Sequence, residues 1–562
     1  MADDAGLKRV LANIELSKKN IENSENTKVV VLVTGSEEDR TRWQKRLDKT
    51  APHIFNKDRS TFILSLREKI GSKEREGNFL GTLLAYSRLK EEADSSGMDY
   101  RGSVSLTGML FGRGERMSPF TQIEGDCKPA IASTAANITI DGEKTTLSQA
   151  EESLMFFTAV AGYLEKRGFR GILNKWGDET EIPSIDLGGH PAEKDPLAAH
   201  DIIKFVSVLN VTDELAKAKE WIVCNEKNDM IAQLSRNEKE ALISQLKALG
   251  VKPDKDGEYY AGISLGPVAV SYQVMDILEE VFAGDIRAQG VSIDFDPYVL
   301  MAFAMRGDTD RWKAVLEQDA GPRALAGPRG MVPDFFEKIS KVRETFKDRY
   351  NRELSLKVLD LGKDVFWTDI GQHTAMRRKY LALNDKGPSG MIARKVENIP
   401  DERDENGNII INSTVGDGIE VRDSVIINSS INGTGKIKRS VVKDSGLTDV
   451  DMTDAFSILS FRAGKTMLKK NSGIYRSIGS ARDPLVLEEG MRHGTLLTRS
   501  GPVDMMVAES TDLRDKDNTY NVPIFANKIS FGEAYNEMFG VSAEELEKRR
   551  EGAIDAVSRG KN

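Results

Sequence analysis

Between Met109 and Ala130 the chain reads MLFGRGERMSPFTQIEGDCKPA, directly after an apolar stretch of strand character. Gly112 and Gly114 leave the backbone N–H groups of this loop open to close approach by phosphate oxygens, because no Cβ stands in the way. Arg116 adds a planar, fork-shaped cation and Lys128 a point charge, while Arg113 lies between the two glycines as a further phosphate contact. That is equipment for holding a polyphosphate. A bare G-x-G carries little information, but G-x-G-x-R-M-x-P-x-T followed seven residues after its Thr by K-P is a long pattern.

The surrounding chain supplies the elements that would present such a loop. TKVVVLVTGSEEDRTRWQKRL reads as strand, turn and charged helix, and the pattern returns in LSQAEESLMFFTAVAGYLEKRG (helix), FRGILNKWGD (strand) and DPLAAHDIIKFVSVLN. Strands alternating with helices predict an α/β fold, a Rossmann-like, mostly parallel sheet flanked by helices, with ligands beyond the strands' carboxyl ends. From about residue 403 the texture changes. Val415 and Val421, then Val425, Ile431 and Ile437, then Val441 and Leu447 recur at six-residue steps among Ser, Asn and Gly, and hexapeptide periodicity of this kind signals a parallel β-helix. The expected division is a helix over 1–26, an α/β domain over 27–400, the β-helix over 403–535 and a charged helix over 536–562.

The loop resembles the signature of sugar-1-phosphate nucleotidyltransferases, the nucleotide-sugar pyrophosphorylases. NKWGDE is similar to the family's strand-end aspartate, here Asp178, and DVFWTDIGQ to its W-x-D-I-G segment, here with Asp369. The resemblance implies that these two carboxylates hold Mg²⁺ and that Arg116 and Lys128 are catalytic. YYAGISLGPVAVSYQVMDIL looks like the substrate-side strand, with Gly266, and Glu238 with Lys239 stands where members carry E-K-P; an exposed Glu-Lys pair is the plainer account of the latter. Many members carry a left-handed β-helix after W-x-D-I-G. The activity implied is the joining of a sugar 1-phosphate to a nucleoside triphosphate with release of pyrophosphate, the repeats serving in packing or as a homo-oligomer surface. The alternative is a non-catalytic, nucleotide-sugar-binding or regulatory relative.

Several positions depart from the family. Phe111 replaces a Gly, Glu115 a Thr and Cys127 a Pro, with two residues inserted before Lys128. A carboxylate in a phosphate nest is unfavourable unless it turns outward, pairs with Arg113 or binds a metal. VVVLVTGSEED and GNFLGTLLAY resemble segments that members carry after the loop, yet here both precede it. A circularly permuted order explains this and puts Gly81 and Thr82 near the nucleotide base. The alternative is an added strand and helix layer over 27–95, with both residues in packing roles.

Bulk properties narrow the field. At 562 residues more than one packed unit is expected, and a net charge of -9 with scattered basic residues argues against a nucleic-acid or membrane partner. Two cysteines without ligand spacing fit a reducing, cytoplasmic setting. His190 and His200 lack a third ligand, Asp294 and Asp296 read as strand caps, and no His falls within 403–470 to act as base for acyl transfer on the repeats.

Overall fold

The computed structural model describes residues 4–67, 77–112, 114–133, 138–140, 142–189, 197–288, 293, 295, 299–305, 334–538 and 541–559. Two compact units emerge, the first of residues 1–109, 153–177 and 181–366, the second of 110–152, 178–180 and 367–562. The contacts therefore group the Gly-rich loop with the repeats rather than with the strand that precedes it.

In the first unit the apolar runs become strands β1 (Val29–Thr34), β2 (Phe62–Arg67), β3 (Val104–Leu110), β4 (Gly171–Trp176), β5 (Ile202–Asn210), β6 (Trp221–Cys224), β7 (Met230–Leu234), β8 (Tyr260–Ser271) and β9 (Leu356–Asp360). They form one sheet in the order β7-β6-β8-β4-β3-β1-β2, with β5 also on β8 and β9 on β5. β1 with β2, β3 with β4 and β5 with β9 run parallel, whereas the long β8 opposes β4, β5 and β6. All six residues of β1 and all seven of β3 are buried, as expected of strands covered on both faces. Helix Glu37–Ile54 falls where the 3.6-residue periodicity predicts it, as does Gln149–Lys166, whose first turn belongs to the second unit. Ser36 caps the first by accepting the Asp39 N–H at 3.0 Å. The N-terminal helix, Asp4–Glu22, is tied down by the Asn13 amide, which donates to the carbonyls of Pro183 and Ile185 at 2.8 Å each.

The second unit contains a stack of parallel strands compatible with a β-helix. Successive short strands fall in turn on three sheets, beginning with Ile409–Ile411, Thr414–Val415 and Ile419–Arg422 and returning one coil later at Val425–Ile427, Ser430–Asn432 and Gly435–Lys438. The register pairs Val415 with Ile431 and Ile431 with Leu447, and Val421 with Ile437. On the remaining sheet Ile426 and Val442 join the interior stack, while Val425 and Val441 belong to a second, outer cluster that also holds Tyr380 and Ile399. Both faces of that sheet are buried, so adjacent residues are apolar and the six-residue phase breaks there.

The corners of the coils explain the Ser, Asn and Asp between the aliphatics. Asn412, Asn428 and Asp444 take the left-handed conformation that their short polar side chains tolerate. The serine after each caps the next coil: Ser413 Oγ accepts the Ser429 N–H at 3.0 Å, Ser429 Oγ that of Ser445 at 3.1 Å, and Ser445 Oγ that of Ser460 at 3.1 Å. This ladder satisfies buried backbone donors that a turning chain would otherwise leave without partners. An antiparallel hairpin, Met491–Thr498 with Gly501–Ala508, continues the first sheet, and helices Phe531–Met538 and Ala543–Ser558 follow. No helix among the described residues is long and apolar enough to cross a membrane.

Candidate functional site

The loop after β3 turns through Gly112 (φ 120°) and Gly114 (φ 58°), conformations that a side chain would strain. A Cβ on Gly114 would lie 2.6 Å from Thr121 Cγ2 and 2.9 Å from Lys128 Cβ, so this glycine lets the stem of Lys128 lie against the loop. The segment that follows is held firmly. Phe120 packs on the ring of Tyr475 at 5.1 Å, and Gln122 Nε2 donates to the Phe531 carbonyl at 2.6 Å. The Tyr475 hydroxyl accepts the Ala132 N–H at 2.9 Å and donates to Glu124 Oε1 at 2.5 Å. His373 Nε2 bonds the Ser118 carbonyl at 2.9 Å.

So fixed, Lys128 reaches two carboxylates. Its ammonium donates to Asp178 Oδ2 and lies 3.9 Å from Asp369 Oδ1. Asp178 lies in the turn just before strand Glu179–Ile182 and Asp369 ends strand Phe366–Asp369; the two strands pair as a ribbon, and the Ile370 N–H donates to the Asp178 carbonyl at 3.2 Å. Gly371 follows so closely that its N–H bonds Asp369 Oδ1 at 2.5 Å, and a Cβ there would stand 3.3 Å from Arg116 Nη2. Burial pulls the Lys128 ammonium toward a lower pKa, but Asp178 and then Asp369 outweigh it and hold the value above that of ordinary lysine. The Lys128 side chain is 12% exposed against 23% for Asp178 and 44% for Asp369, so the group opens to solvent on its carboxylate side.

This cluster joins Gly112, Gly114, Arg116, Lys128, Asp178 and Asp369 of the sequence reading within one unit. Arg113 lies outside the described residues. Glu115 pairs with Lys516 Nζ at 2.5 Å, a partner that sequence reasoning missed, since nothing local announces a contact between positions so far apart in the chain.

The remaining candidates belong to the first unit. Thr82 is fully buried in helix Gly77–Ser96 with its hydroxyl donating to the Asn78 carbonyl at 2.6 Å, and Gly81 is buried beside it. Gly266 stands inside β8 rather than at its end, where the register shifts between Ser264 and Val268, and the buried Lys204 ammonium caps the neighbouring Leu265 carbonyl at 2.6 Å. Glu238 precedes helix Lys239–Ala248 and meets Lys217 at 2.8 Å on the surface. Of the further motifs, His200 is described, while His190, Asp294 and Asp296 are not.

A scan against protein-family models and a search of curated proteins find no match to this chain.

Proposed function

We propose that this chain is a nucleotidyltransferase that joins a sugar 1-phosphate to a nucleoside triphosphate, forming a nucleotide sugar and pyrophosphate. The observation that carries the reading is Lys128 at the foot of a Gly-rich loop with Asp178 and Asp369 converging on its ammonium. A phosphate-binding cation, a backbone nest and two acidic oxygen donors are what a reaction between two phosphorylated anions requires.

In this reading the loop N–H groups and Lys128 hold the triphosphate, and Arg116 covers its outer oxygens. The sugar phosphate oxygen attacks the α-phosphorus in line and the bond to the pyrophosphate oxygen breaks, with no covalent enzyme intermediate. Asp178 and Asp369 fit a divalent cation, since both already reach one positive centre and offer only hard oxygen donors; Mg²⁺ held there would neutralise charge on the reacting phosphates. Triphosphate binding would draw Lys128 toward phosphate and leave the two carboxylates to the cation.

The finer fold reading belongs here as well. β1 lies next to β3, with β2 beyond it at the sheet's edge, the order that a circularly permuted member of the family would show. A Rossmann-like sheet and a left-handed β-helix complete that reading. Glu115 favours the second reading, a relative that binds nucleotide sugar without turnover, only if its charge stays uncompensated.

Pyrophosphate release with Mg²⁺ across a matrix of nucleoside triphosphates and sugar 1-phosphates tests the proposal. Turnover with one pair, abolished in Asp369→Asn, is expected. Silence across the matrix with ligand binding retained would overturn the catalytic reading in favour of the binding one.

A further inference from the structure

Glu115 puts a carboxylate between Gly114 and Arg116, in the loop read above as the polyphosphate nest. Lys516 Nζ reaches its Oε2 at 2.5 Å from 401 positions further along the chain. The ammonium is held from a second side as well, lying 3.7 Å above the centroid of the Tyr520 ring, a distance at which the ring face attracts a cation. Tyr520 itself is 6% exposed and packs against Phe531, so the platform under Lys516 is anchored in the core of the unit. The segment carrying it is locally braced. Asp515 accepts the Asn518 N–H at 3.1 Å, and the Thr519 hydroxyl donates to the carbonyls of Asp512 and Asp515 at 2.7 and 2.8 Å. The loop's Glu115 is thus tied to residues 512–520.

Two surface charges that merely happened to meet would contribute little and would need no fixed platform. Here the lysine is 41% and the glutamate 27% exposed, and the cation is oriented before any ligand arrives. We infer that Lys516 is a positioning residue that neutralises Glu115 and so makes this loop compatible with a polyphosphate ligand. This rests on the reading of the loop as a phosphate site. Without Lys516, the Glu115 carboxylate would repel the incoming phosphates and would compete for Arg116. With it, the carboxylate becomes a tether that ties the loop to the C-terminal segment.

The test is binding of inorganic tripolyphosphate, with and without Mg²⁺, to the full chain by calorimetry, in the wild type, Lys516→Met, Lys516→Arg, Glu115→Gln and the Glu115→Gln/Lys516→Met double variant. Lys516→Met is expected to weaken binding roughly tenfold, the scale of one unit charge a few ångströms away in a partly solvated site. Lys516→Arg should restore most of the loss, and Glu115→Gln should bind at least as tightly as wild type. The double variant should return to near wild-type affinity, because removing the carboxylate along with the lysine leaves no uncompensated negative charge in the loop. A double variant as weak as Lys516→Met overturns the inference, showing that Lys516 touches phosphate itself or only supports the fold. Failure of both wild type and Glu115→Gln to bind tripolyphosphate would overturn the phosphate reading and this inference with it.

Discussion

Lys379 and Lys128 both sit against carboxylates in the second unit, and their surroundings are opposite. The Lys379 ammonium lies 2.9 and 3.0 Å from the two oxygens of Glu152 and donates to Gln149 Oε1 at 2.5 Å. Glu152 also accepts from the Thr180 hydroxyl at 2.8 Å and from Ser133 Oγ, and the two side chains are 7% and 1% exposed. Lys379 and Glu152 are both almost fully buried and held by several hydrogen bonds, which is what a buried ion pair needs to be tolerated. Around Lys128 two carboxylates face one ammonium, and Asp369 keeps 44% of its side chain in solvent. Acidic oxygen open to solvent can be reached by a ligand; a buried network cannot. On the proposed function the same residue types make a strut in one place and a ligand site in the other, and burial is what separates them.

The comparison can be broken at its larger end first. Glu152→Ala strands the Lys379 ammonium in the interior and should lower stability by about 3–5 kcal/mol, read by chemical denaturation. Glu152→Leu with Lys379→Met should recover much of that, since no buried charge is left unpaired. A wild-type unfolding midpoint in Glu152→Ala would mean that the pair does not hold the unit together.

Lys128→Ala should do the reverse. Turnover should fall roughly 10²-fold or more, about 2.7 kcal/mol of transition-state stabilisation, while the melting temperature stays near that of wild type. Should the variant instead unfold early with turnover per folded molecule intact, Lys128 would belong with Lys379.

His373 sharpens the structural side. Burial first, then Arg492, pushes its pKa from 6.5 down to about 3, against smaller opposing effects of the Ser118 carbonyl and Glu509. The folded protein holds this ring neutral while the unfolded chain protonates it near 6.5, so the contribution is complete above that pH and is lost as pH falls toward 3. Stability should drop across that window by at most about 1.4 kcal/mol per pH unit from this group. Denaturation midpoints of His373→Gln between pH 7 and 4 should follow a shallower slope than wild type; an unchanged slope would assign the acid sensitivity elsewhere.

Much of the loop could be read directly, because Gly112, Gly114, Arg116 and Lys128 lie within one short stretch and each type has a narrow physical use. The hexapeptide steps were equally legible, since a coil that stacks on itself must repeat its apolar residue. Sequence alone did not distinguish Val425 from Ile426: both are aliphatic, and which faced the stack depended on whether Tyr380 and Ile399 covered the other side. The Asn-Ser and Asp-Ser corner pairs were visible all along, but their use as a capping ladder becomes clear only when successive coils lie one hydrogen bond apart.

By itself, then, the sequence determined the alternation of strands and helices, the onset of the repeats and the chemical identity of the loop, all consequences of local spacing. Tertiary structure decided which charges meet. Lys128 finds Asp178 and Asp369, Lys379 finds Glu152, and Lys516 finds Glu115 across separations over which side-chain type carries no pairing signal. A charge's worth depends on the water and partners around it, and those are set only when the distant parts of the chain pack together.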